Sequence, residues 1–142
     1  MQIILNEQKF DLSGRLLDIG EDAPDVIVTD LNNVDINLSS LGSDLYLFNV
    51  FPKIQGKVCS SSMLLLEQYI NNNDLSCKVF SISCDPVEVL KEFRLEHKIS
   101  NVVSYSDANH NAFGKNYGLL IRSGPLANYL ARAVILIKNG KI

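Results

Sequence analysis

The sequence predicts an α/β sandwich: a mostly parallel inner sheet, a β-hairpin at the N-terminal end, and one domain spanning residues 1–142. Three observations predict it. Apolar runs of strand length alternate with helix-period segments through the middle of the chain. The run "DLYLFNVFP" (44–52) is almost continuously apolar, as in a strand buried on both faces. The opening "QIILNEQKFDL" (2–12) alternates polar and apolar residues around a polar "NEQ", the mark of a small hairpin.

The remaining elements follow in order. Pro24 lies in a loop, "VIVTDL" (26–31) is a strand, "NN" a turn and "VDINL" (34–38) a shorter strand. After 44–52 comes "VCSSSMLLLEQYINNN" (58–73). There Cys59, Met63, Leu66 and Ile70 recur at spacings of 4, 3 and 4, one face of a helix that the Asn71–Asn73 run stops. "CKVFSIS" (77–83) is a second buried strand. "DPVEVLKEFRLEH" (85–97) is a helix with Asp85 as N-cap and Pro86 at its first position. "NVVSYS" (101–106) is a strand, "NHNAFGKNYG" (109–118) a short helix ended by Gly118, and "ARAVILI" (131–137) a fourth, strongly apolar strand. Asn139-Gly140 then signals a hairpin turn two residues before Ile142, so the last strand is either a sheet edge or lacks its returning partner.

Composition narrows the function. A net charge of −3, with Lys and Arg scattered, provides no basic patch for nucleic acid. No apolar run approaches the roughly 18 residues of a membrane span, and Ile3–Leu5 is too short for a signal-peptide core. A cytoplasmic protein is expected. The cysteines Cys59, Cys77 and Cys84 form neither a C-x-x-C pair nor zinc spacing, and His97 and His110 stand alone. Neither a metal nor an organic cofactor is expected; the glycines are dispersed and form no phosphate-binding loop.

Cys59 is the residue of interest. It falls in the first turn of a predicted helix, where unpaired N–H groups and the helix dipole favour an anion such as a thiolate. A buried cysteine that only packs is the competing reading. Cys77 and Cys84, opening and closing a strand, read as structural.

The segment "NVFPKIQGKVC" (49–59) resembles the active-site segment of the peroxiredoxins, whose pattern is Pro, three residues, Thr or Ser, two residues, Cys. Pro52, Gly56 and Cys59 occupy the marked positions. Within that family the chain resembles the bacterial thiol peroxidases. "GEDAPDVIVTDLNNVDINLSSL" is similar to their opening strand and turn, "VFSISCDPVEVLKEFRLEHKISNVVSYSD" to their second strand, helix and third strand, and "FGKNYGLLIRSGPLANYLARAVILIKNGKI" to their late segment. The resemblance implies a thioredoxin-like sandwich with a central mixed sheet, lacking here the family's C-terminal strand and helix. It implies that Cys59 is a peroxidatic cysteine, that Arg132 in "LARAV" is its activating arginine, that Pro52 shields it, and that Gly56 and the backbone near Val58 lie at the peroxide. The implied function is a thiol-dependent peroxidase reducing hydrogen peroxide or alkyl hydroperoxides through a sulfenic acid. Thioredoxin or a small thiol would be its reductant, and a homodimer its assembly, with Leu126 and Tyr129 in "SGPLANYL" a candidate contact.

Two departures qualify this. Gly56 stands where the family has Thr or Ser, removing a hydroxyl that orients the attack, and Ser60, Ser61 and Ser62 are not placed to replace it. Arg94 occupies the family's resolving-cysteine position, which leaves Cys84 as the candidate resolving thiol or a one-cysteine cycle. These departures also suit an alternative, a peroxiredoxin-fold redox sensor or interaction module with impaired turnover.

Overall fold

The computed structural model describes residues 2–5, 8–42, 45–72 and 77–142. The predicted hairpin turn at 6–7 and the helix-stop residue Asn73 lie outside them. Strands β1 (Gln2–Leu5) and β2 (Gln8–Asp11) pair antiparallel, as the alternation predicts. β3 (Ile27–Thr29) and β4 (Asp35–Asn37) form a second antiparallel pair. Their turn is built by Asp30, whose Oδ1 accepts from Asn32 N and Val34 N while Asn33 adopts a left-handed φ of 63°. A single 3₁₀ turn, Leu38–Leu41, leads on.

The alternating middle follows: β5 (Tyr46–Val50), α1 (Lys57–Asn72), β6 (Lys78–Ser83), α2 (Val87–His97) and β7 (Val103–Ser106). Then come α3 (Ala112–Asn116) and β8 (Ala133–Ile137). Within the described residues the main sheet has six strands, in the order β4-β3-β7-β6-β5-β8. Among the described residues, β5–β6 and β6–β7 are parallel and the other pairs antiparallel, so the sheet is mixed rather than mostly parallel. Parallel neighbours need a long crossover, and the connections through α1 and α2 supply it for these two pairs.

Side chains alternate across this sheet into two cores. One side holds Cys59, Met63, Val79, Leu90, Phe93 and Val102 under α1 and α2. The other holds Phe48, Val50, Phe80, Ile82, Phe113 and Tyr117 against α3 and the 117–131 segment. Gly118 ends the α3 region as predicted, with φ 70°; a Cβ there would lie 2.1 Å from Arg15 O, so only glycine fits.

The sequence is corrected in two details. Pro86, not Asp85, is the N-cap of α2, and it has no side-chain cap. Asp85 is unavailable because its carboxylate is committed elsewhere, as described below. In α1 the buried stripe runs Cys59, Met63, Glu67, with Leu66 and Ile70 only half-buried.

The Asn139-Gly140 turn forms, with φ 53° and 76° and reciprocal bonds between Lys138 and Lys141. The short return also finds a partner in the segment near Glu21, through Ile142 N to Glu21 O at 2.9 Å and Gly20 N to Ile142 O at 3.0 Å. β8 is an edge strand of the sheet, and its Val134 and Leu136 are exposed. Among the described residues, no helix is long and apolar enough to cross a membrane.

Candidate active site

The site forms where β5 ends. After Val50 the chain turns through residues 51–56 into α1. Phe51 and Ile54 anchor this loop in the α1/α2 core, at 1 % and 0 % exposure. Pro52 is half-buried at the bend between them. Gly56 N closes a turn onto Lys53 O at 3.1 Å, and Gly56 O accepts the amide of Ser60 at 2.9 Å. The amides of residues 57–59 precede that bond and, by helix geometry, lack intrahelical acceptors. Cys59 sits among them, on the inner face, 5 % exposed. Its neighbour Val58 faces outward and is exposed.

Arg132 reaches this sulfur from a distant part of the chain. Strands β5 and β8 run antiparallel with Val50 opposite Ala133. The residue before Ala133 therefore lies level with the loop that leaves Val50. From there Arg132 Nη2 donates to Cys59 Sγ at 2.9 Å. Arg132 stands just outside the apolar strand rather than within it, so its charge stays exposed to water and is not desolvated there.

Gly56 completes the surroundings of the thiol. A Cβ at this position would lie 3.7 Å from Cys59 Sγ and 3.2 Å from Lys53 O. A side chain at residue 56 would thus flank the sulfur directly, and the glycine leaves that flank open.

Cys84 is placed differently. It is half-buried against the α3-side core, while Cys59 belongs to the α1/α2 core across the sheet. Its Sγ contacts Asn111 Oδ1 at 3.6 Å. Burial pushes the Cys84 thiol up to about 12, and the nearby Asp107 and Asp85 carboxylates push the same way. Cys77 is also free and half-buried, packed on the α1/α2 core. Arg94, on α2, donates Nη1 to Val102 O, so its guanidinium secures the turn into β7. Leu126 and Tyr129 are half-buried, and Lys53 Nζ lies 5.6 Å from the Tyr129 ring centroid.

Among the buried carboxylates, Glu67 and Asp85 hold backbone amides near the site, roles the sequence did not announce. Glu67 is buried on α1 and accepts from the backbone amides of Ser100, Asn101 and Val102. Desolvation pushes its carboxyl upward, but these amide bonds together outweigh it and hold the group below the usual range. Its place in the Cys59–Met63 stripe at a further spacing of 4 was the available signal. Asp85, 5 % exposed, accepts from Ile54 N at 2.7 Å and from Ser83 Oγ at 2.8 Å, both on Oδ2. Burial raises its carboxyl above the ordinary range, against the lowering effect of those bonds. No local pattern announces that role, because Asp-Pro after a strand reads as a helix start.

The AhpC/TSA family model matches residues 19–142, which include all of these groups. The chain belongs to the AhpC/TSA family. It is 30 % identical over 142 residues to the thiol peroxidase of Staphylococcus saprophyticus, covering 99 % of this chain and 84 % of that protein. It is 28 % identical over 143 residues to the thiol peroxidase of Helicobacter pylori, covering 97 % and 82 %. Among solved structures, a peroxiredoxin-like protein from Aquifex aeolicus superposes with TM-score 0.89 at 26 % identity, covering 99 % of this chain and 81 % of that one. A thiol peroxidase from Chromobacterium violaceum gives 0.86 at 22 % identity, covering 99 % and 82 %, a likeness of fold. The peroxiredoxin and thiol peroxidase resemblance of the sequence is borne out, as is the thioredoxin-like mixed-sheet fold.

Proposed function

We propose that this AhpC/TSA protein is a thiol-dependent peroxidase acting on hydrogen peroxide or alkyl hydroperoxides through Cys59. The observation that carries the reading is the 2.9 Å contact between Arg132 Nη2 and Cys59 Sγ at the start of α1. A fixed guanidinium beside the attacking sulfur can stabilise negative charge developing on the leaving oxygen. The thiolate attacks the distal oxygen of ROOH. An S–O bond forms, the O–O bond breaks, and RO⁻ takes a proton and leaves as ROH, giving Cys59–SOH. One external thiol then displaces water to form a mixed disulfide, and a second releases the Cys59 thiolate and the reductant's disulfide. Thioredoxin or a small thiol fits that role.

Recycling by an external thiol is preferred to an internal one. The thiolate is the attacking species in disulfide formation, and Cys84 is held protonated at neutral pH on the other side of the sheet. A homodimer contacted through loops near Cys59 belongs to the same reading. The test is direct: treat the reduced protein with hydrogen peroxide and follow Cys59 by mass spectrometry. Fast, stoichiometric addition of one oxygen at Cys59, absent in Cys59→Ser, is expected. A thiol no more reactive than free cysteine overturns the reading.

A further inference from the structure

We infer that Asp85 is a positioning residue for Cys59, acting through the loop that carries Pro52 and Gly56; this rests on the peroxidase reading. The loop 51–56 decides where α1 begins and thus where the sulfur sits relative to Arg132. Its backbone is held at its entry by Phe51 N to Ile82 O, a long 3.3 Å bond, and at its exit by the Gly56–Lys53 turn. Between these, the amide of Ile54 is bound by the Asp85 carboxylate at 2.7 Å. That bond joins residues 31 positions apart. It ties the loop to the end of β6, the middle strand of the parallel trio.

Asp85 is itself held rigidly. Ser83 Oγ donates to the same oxygen that receives Ile54 N, and the Asp85 carbonyl accepts Ser106 Oγ from β7 at 2.6 Å. The chain of bonds β7–Ser106–Asp85–Ile54 therefore refers the thiol loop to two sheet strands. The bonds of Asp85 go to Ile54, Ser83 and Ser106 rather than to the sulfur. Its effect reaches chemistry only through where the loop places Cys59, and a displacement of about 1 Å at a reacting group can cost on the order of 100-fold in rate.

The geometry makes a specific demand. Because both bonds converge on Oδ2, one acceptor oxygen suffices, and an asparagine carbonyl can take them both. Asp85→Ala leaves the buried Ile54 amide without a partner. The experiment compares Asp85→Ala and Asp85→Asn with wild type on two rates at pH 7: oxidation of Cys59 by hydrogen peroxide and its alkylation by iodoacetamide. Glu67→Gln serves as a control, since it removes a buried carboxylate two turns along α1 without touching the loop.

Expected is a fall of about 10- to 100-fold in the oxidation-to-alkylation ratio for the alanine variant. Asparagine should recover most of that loss, and Glu67→Gln should leave the ratio unchanged. If the alanine variant does not fold, Ser83→Ala, which frees the carboxylate to turn, should lower the same ratio by a smaller factor. A fast wild type with an unchanged ratio in the Asp85 and Ser83 variants overturns the inference alone. So does a Glu67→Gln ratio that falls as far as the alanine one. A wild type oxidised no faster than free cysteine overturns the peroxidase reading and the inference with it.

Discussion

Restoring a hydroxyl at residue 56 should raise the rate of Cys59 oxidation. The position admits a side chain: Gly56 is not among the residues with positive φ, so an L-residue fits its backbone. The new Cβ would meet Lys53 O at 3.2 Å, requiring a shift of a few tenths of an ångström in a surface turn, and would make ordinary contact with Cys59 Sγ at 3.7 Å. Replacing glycine also restricts the unfolded chain, worth about 0.4–1 kcal/mol where the conformation is compatible. The steric and entropic effects oppose each other, so Gly56→Thr should change stability by less than about 1 kcal/mol. The hydroxyl, one bond beyond Cβ, can bond the sulfur or an incoming peroxide. A preorganised polar group of this kind contributes about 10- to 1000-fold, or about 1.4–4 kcal/mol of barrier. The assay is the rate of sulfenic acid formation under single-turnover conditions for Gly56→Thr, Gly56→Ser and Gly56→Ala. Threonine and serine should be faster than wild type and alanine should not. A threonine variant that is folded and no faster refutes the reasoning, and an equal gain in alanine assigns the effect to loop stiffness instead.

Arg132→Met should slow Cys59 oxidation by about 100- to 1000-fold and leave thermal stability within about 0.5 kcal/mol, because the side chain is exposed; kinetics and a melting curve check both. Cys84→Ser should not change the oxidation rate, and wild type oxidised without a reductant should carry a Cys59 sulfenic acid rather than a Cys59–Cys84 disulfide, as read by intact mass. Glu67→Gln should cost about 1–3 kcal/mol, since one of its carboxylate acceptors becomes a donor facing backbone amides. Glu67 is held below its usual value of 4.5, so its charge stabilises the fold above that pH and the benefit is lost as pH falls through the folded value. The melting-temperature gap between wild type and Glu67→Gln should therefore narrow below about pH 4.5; a constant gap counts against the amide-bound carboxylate.

The strands and helices were legible because each is announced locally. Strand β5 shows as an apolar run, α1 as a stripe at helical spacing, and the last turn as Asn139-Gly140. Cys59 was legible for the same reason, since its distance from Met63 already placed it on the inner face of a helix start. Its partner was not. Cys59 and Arg132 are 73 residues apart, and they meet only because β8 pairs antiparallel with β5 in a register that no local pattern specifies. From its surroundings alone, Arg132 reads as an ordinary charge at a strand edge; the strand begins one residue later and the charge stays in water. Asp85 failed in the opposite way. Its local context was informative but pointed to a helix cap, and a tertiary contact with Ile54 won the carboxylate instead. Arg94 likewise matters through a carbonyl in the next turn, which the sequence does not mark.

The pairing of a buried sulfur with an exposed guanidinium has a consequence for how the site divides its energetics. Cys59 lies 5 % exposed, and on the proposed reading its contacts for the reaction are Arg132 and the amides at the start of α1. On that reading the contact contributes little to the stability of the fold, because its guanidinium is exposed. It is the kind of contact that strengthens as charge develops, which is what catalysis requires. The scaffold keeps the pair together without relying on their mutual attraction: β5–β8 register sets Arg132, and Asp85 with the buried Ile54 sets the loop that begins α1. Salt should accordingly slow the oxidation of Cys59 more than it lowers the melting temperature, since screening acts on the exposed partner and leaves the packed scaffold alone.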